Sequence, residues 1–96
     1  MKDILIGRFA ISDAGHDRER IYLIVGEDDK YLYLTDGKFH PIDRLKKKNK
    51  KHAQVLNKMA EEPILSRLNI NDRIFDHEVK YAIKTMIRKE EGHVKE

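Results

Sequence analysis

The sequence predicts a mainly β domain with an α-helical C-terminal end, and three observations carry that expectation. Short β-patterned segments separated by polar, turn-rich stretches fill the first half of the chain. Asp36-Gly37, a strong hairpin dipeptide, falls between two of them. An apolar stripe with well-defined helical spacing appears only near the end. Four or five short antiparallel strands with no helix among them make a small barrel or sandwich, and the helix becomes an appendix that covers part of it.

Ile4 to Ser12 reads as the first strand, with Leu5, Phe9 and Ile11 on one face of a two-residue period and Arg8 and Ala10 on the other. Gly7 interrupts the side-chain row, which marks a bulge or a close backbone approach. Ser12 to Arg20 is a polar connecting loop in which Gly15 can take a positive φ and His16, Arg18 and Arg20 form cationic tips. Ile21 to Val25 is continuously apolar, as a strand buried on both faces should be. An acidic turn, Gly26 to Asp29, follows; it lacks the spaced oxygens and glycine of a calcium loop. Lys30 to Thr35 alternates, with Leu32 and Leu34 inward and Tyr31, Tyr33 and Thr35 on the wetter side. Beyond Asp36-Gly37, Lys38 to Arg44 is expected to return as a fourth strand, at an edge or broken at Pro41. Ala53 to Leu56 supplies a fifth. Phe9, Ile11, Leu23, Val25, Leu32 and Leu34 are then expected in one barrel core.

Pro63 suits the first turn of a short helix whose apolar side is Ile64, Leu65 and Leu68. After a loop from Asn69 to Ile74, Asp76 is placed to cap a longer helix, with Glu78 in its first turn. Val79, Ala82, Ile83, Met86 and Ile87 form one stripe, and Gly92 suits the stop, so this helix runs from Asp76 to about Glu90. Residues 1–58 are thus the barrel, including a lysine loop at 46–52, and 59–96 a helical extension packed on it.

Charge is distributed unevenly. Between Lys46 and Lys58 lie six lysines and no acid, whereas the residues before carry 7 basic and 9 acidic side chains and those after carry 7 and 8. One segment therefore supplies the excess behind the net charge of +3. Lysines packed so closely repel one another, and an external polyanion is a natural counter-charge. There is no cysteine for a disulfide or a thiolate metal site, and the longest apolar run, Ile21 to Val25, is far too short to span a membrane. The start of the chain lacks a signal-peptide core. A cytoplasmic location is expected.

The stretch from Gly7 through Gly15 to Val25 resembles a KOW motif, in which a strand leads into a glycine-centred loop and then a second apolar strand. With Tyr31, Asp36-Gly37-Lys38, the lysine run and His52 added, residues 4 to 56 resemble the bacterial KOW-domain RNA-binding proteins related to large-subunit ribosomal proteins of the L14e, L6e and L27e group. The resemblance implies an SH3-like antiparallel five-stranded barrel, binding to RNA or the ribosome, and no enzymatic activity. Gly15 matches the glycine of the motif. Glu19 stands where similar proteins often have glycine, and puts an acid in the loop that the resemblance implies faces RNA.

Lys46, Lys47, Lys48, Lys50 and Lys51 are the expected phosphate contacts, with His52 beside them; Gly15, His16, Arg18, Arg20 and Lys38 would orient the barrel on RNA. As point charges, lysines supply affinity and salt dependence rather than sequence readout. The histidines are scattered without ligand spacing, and no nucleophile elbow or phosphate-binding glycine loop is present, so no cofactor, metal or catalytic role is expected. Tyr22, Tyr31, Tyr33 and Phe39 could stack on unpaired bases, but at strand spacing they are expected to pack instead. The competing reading, from a different class, is an SH3-like protein-interaction adaptor.

Overall fold

Among the described residues all strand pairs are antiparallel, and they form one five-stranded sheet in the order β4-β3-β2-β1-β5. The structure, a computed structural model, describes residues 5–12 and 20–95. The strands are β1 (Arg8–Ser12), β2 (Ile21–Glu27), β3 (Tyr31–Thr35), β4 (Lys46–Asn49) and β5 (Ala53–Met59). Two helices follow, α1 (Ile64–Asn69) and α2 (Asp76–Lys95).

β2 is the centre of the sheet, and its unbroken apolar run explains why. Leu23 faces one side with Phe9 of β1, while Tyr22 and Ile24 face the other with Ala10 and Leu34. Both sides are buried, so the expected single core is in fact two. Phe9, Leu23, Val79, Ala82 and Met86 form the cluster beneath the helices, with Ile21, Val25 and Leu56 packed against it. Ala10, Tyr22, Ile24, Leu32 and Leu34 form the second, on the opposite face. Leu5 joins this second cluster rather than that of Phe9, because Gly7 adopts φ 97° between them and breaks the two-residue period. A Cβ on Gly7 would lie 2.5 Å from Leu65 Cδ1, so the residue just before β1 passes close to the Leu65 side chain of α1, in a backbone conformation that suits glycine.

The largest departure from expectation lies between residues 36 and 52. Lys38 to Arg44 is not a strand. Asp36 Oδ1 accepts hydrogen bonds from the N–H groups of Lys38 (2.9 Å) and His40 (2.8 Å), giving the backbone a local partner that competes with a ladder. The N–H of Ile42 then donates to Asp76 Oδ1 at 2.8 Å. The fourth strand is instead the lysine run. Lys46 to Asn49 pairs with Leu34 to Tyr31, and Lys50–His52 forms a single 3-10 turn into β5. The expected loop is therefore an edge strand plus a turn.

That turn shapes the sheet. Flat, the two outer strands β4 and β5 would lie about 19 Å apart across four strand spacings. The three residues of the turn (Lys50–His52) rise only about 6 Å, so the two strand ends that they join lie closer than a flat sheet would place them.

Asn71, at φ 59°, ends α1; its N–H donates to Leu68 O and that of Asp72 to Arg67 O, as in a Schellman stop with Asn in place of glycine. Asp76 begins α2 but does not cap it, since its carboxylate serves Ile42. Phe75 takes that position: its carbonyl accepts from Glu78 and Val79, and its N–H donates to Glu78 Oε1 at 3.0 Å. Gly92 does not stop the helix, which runs on to Lys95. None of the described helices is long and apolar enough to cross a membrane.

Candidate nucleic-acid interface

The strand period sorts the lysines of β4 onto two sides. Lys46 and Lys48 oppose Leu34 and Leu32 and so share their side of the sheet, whereas Lys47 opposes Tyr33. Lys46 Nζ lies 5.7 Å from the Tyr22 ring centroid, and Lys47 Nζ lies 4.3 Å from that of Tyr31. Cation-to-ring contacts thus hold the stems of a strand that β propensity alone would not favour.

The acidic turn reaches the same edge. Lys50 Nζ pairs with Glu27 Oε1 at 2.9 Å, and its N–H bonds Lys30 O. Asp28 anchors the β2–β3 turn, accepting from Tyr33 Oη at 2.7 Å and from the N–H groups of Tyr31 and Lys30. These bonds, Tyr33 first, hold the Asp28 carboxyl below its ordinary range, and the nearby charge of Lys47 adds to the effect. The same bond pushes the Tyr33 phenol up. So Glu27 and Asp28 are not merely a solvated turn; they offset part of the lysine charge. Lys48 and Lys51 make no ion pair with a described residue. Lys51 and His52 are exposed on the turn.

Gly15, His16 and Arg18 lie outside the described residues. Arg20 and Lys38, by contrast, converge on Phe39, with Arg20 Cζ 4.3 Å and Lys38 Nζ 5.0 Å from its ring centroid. Of the aromatics that could stack on bases, Tyr22 is fully buried, while Phe39 is 57% exposed.

Phe39 borders a shallow groove of about 510 Å³ between the β3–β4 connection and one flank of α2. Lys80, Lys84 and Arg88 form its far wall, and Ile83 and Ile87 part of its floor. Sequence reasoning missed these three cations. Their i, i+4, i+8 spacing beside the apolar stripe was the signal, since it places them on one flank of any helix that buries Ile83 and Ile87.

The other flank of α2 meets α1 and the end of β5 in a cleft of about 570 Å³, lined by Met59, Ile64, Tyr81 and Met86 among others. Charges of both signs rim it, including the ion pair Lys89–Glu61 and Glu78, whose own partner is Arg67. Arg67 holds the Glu78 carboxyl below its ordinary range. Among the described residues, no three His, Asp or Glu side chains gather as a metal site requires. No family model matches the chain, and no curated protein is significantly similar to it.

Proposed function

We propose that this protein is a non-catalytic RNA-binding module with an SH3-like barrel, which holds the phosphates of structured RNA, ribosomal RNA being the expected class, in the cytoplasm. The observation that carries this reading is that the lysine run is ordered chain. Lys46, Lys47 and Lys48 stand on a hydrogen-bonded edge strand and Lys51 on a capped turn, where Asn49 Oδ1 accepts the Lys51 N–H at 2.9 Å. Cations already fixed in place lose less entropy on binding than cations on a loose tail. Lys46 and Lys48, two residues apart on one side, stand about 6.7 Å apart along the strand, close to the spacing of successive phosphates. A five-stranded sheet whose outer strands are joined by one short turn supports the barrel, and the likeness to KOW proteins supports the partner.

Titrating total cellular RNA across a salt series tests the proposal. Counterion release gives about 0.7 units of log-log slope per phosphate contact on single strands. Changing Lys46, Lys47, Lys48 and Lys51 to Ser should therefore flatten the slope by about 2 to 3 units, in a variant that remains folded. The loss should be similar for RNAs of different sequence, because phosphate contacts carry no base information. Wild-type binding no tighter than that of a charge-matched control protein would reject RNA as the partner. The adaptor reading would then stand; the apolar cleft supports it, with Tyr81 69% and Met59 43% exposed at its mouth.

A further inference from the structure

We infer that the groove between Phe39 and α2 is a second nucleic-acid subsite, which takes an unpaired nucleotide by stacking its base on Phe39 and tracking the adjoining phosphates with the α2 cations. This rests on the RNA-binding reading above, and adds to it a preference for single-stranded over paired RNA.

Three features carry the inference. Phe39 is presented, not merely exposed. The N–H groups on either side of it, those of Lys38 and His40, are both held by Asp36 Oδ1, and Thr35 Oγ1 donates to His40 O at 2.7 Å. A ring carried on backbone held in this way costs less loop entropy when it stacks than one on a loose loop. Arg20 and Lys38, lying against the ring, would add cationic contacts to a base on the platform.

The charge of the groove is also one-sided. Among the described residues, Arg20, Lys38, Lys80, Lys84 and Arg88 line it, and the one acid with them, Asp36, has an oxygen engaged by backbone N–H groups. An aromatic platform within a basic channel over an apolar floor is what a single strand requires, since every base has a stackable face and every link a charge.

The groove is also linked to the lysine strand, through the buried Tyr22 ring. His40, next to Phe39, meets the Tyr22 ring edge-on at 5.9 Å, and the Lys46 ammonium lies over that same ring.

The chain contains no Trp, so Phe39→Trp provides a single fluorophore at the site. Adding a short oligouridylate should quench its emission, while a fully paired RNA hairpin should leave it nearly unchanged. Phe39→Ala should weaken oligouridylate binding by about fivefold or more and hardly affect the hairpin. Replacing Lys80, Lys84 and Arg88 with Gln should reduce the salt slope for the oligouridylate by about 2 units. If oligouridylate binds the Phe39→Trp variant without quenching its indole, or if Phe39→Ala weakens single-stranded and paired RNA equally, the inference fails while RNA binding stands. If the wild type binds neither RNA, both proposals fail. Should the α2 substitutions weaken heparin and RNA alike with Phe39 indifferent, the groove is a polyanion surface and not a base site.

Discussion

On β4 the cations are neighbours in sequence and the fold separates them; beside α2 they are far apart in sequence and the fold collects them. The two-residue period turns Lys47 away from Lys46 and Lys48, and Glu27 engages Lys50. In the groove, residues 20, 38, 80, 84 and 88 come from three separate parts of the chain. The densest run of charge in a sequence need not make the densest patch in space. Backbone geometry and the nearest acids decide how much of that charge faces outward.

The largest effect expected from a single substitution would break the groove and spare the lysine strand. Gly37 sits at φ 75°, and a Cβ there would lie 2.6 Å from the carbonyl oxygen of Asp76 and 3.3 Å from Val79 Cβ. Gly37→Ala is therefore expected to cost about 2 kcal/mol, read as a lower midpoint of urea unfolding. Because the strain falls where the Phe39 loop meets α2, the folded fraction should also lose its preference for single-stranded RNA. A variant as stable as the wild type would mean that the loop and helix do not need this close approach.

A smaller effect, of opposite sign, sharpens the contrast at β4. If Glu27 draws Lys50 away from phosphate, Glu27→Gln should raise RNA affinity about twofold to fivefold at low salt and steepen the salt slope by up to about 0.7. Unchanged affinity and slope in filter binding would show that Lys50 does not reach RNA even when released.

The smallest effect lies in acid. Asp28 has its pKa lowered in the folded protein, so the stability it contributes is fully present above the pH at which an unfolded Asp titrates. That stability is lost as pH falls through the lowered value. Asp28→Asn should therefore lower the melting temperature more near neutral pH than in strong acid, where the two curves should converge. Parallel curves across the acid range would mean that the Tyr33 and backbone bonds do not depend on the carboxylate charge.

The elements legible in the sequence were those whose pattern is set by burial. Ile21 to Val25 announced a strand covered on both faces, and the Val79 to Ile87 stripe announced a helix on an apolar floor, because in both the period survives without knowledge of neighbours. Lys38 to Arg44 misled because Asp36-Gly37 is as good an Asx turn as a hairpin, and only the contact with Asp76 distinguishes them. Lys46 to Asn49 was unreadable as a strand because lysine has poor β propensity. Its partners, Tyr31 to Leu34 and the Tyr22 ring, decide the matter through space. Lys80, Lys84 and Arg88 disappeared into a segment charge count in which acids elsewhere in that segment cancel them, although a helix keeps the two apart.

The position of β4 at the rim of the sheet has one more consequence. A rim strand displays a row of backbone donors and acceptors that a like strand from another molecule can match, and that is how sheets grow into fibrils. Here such a match would set lysine rows from two molecules side by side at strand spacing, about 4.8 Å apart, with their charges repelling. The charge that suits β4 to a polyanion thus also keeps it from recruiting its own kind.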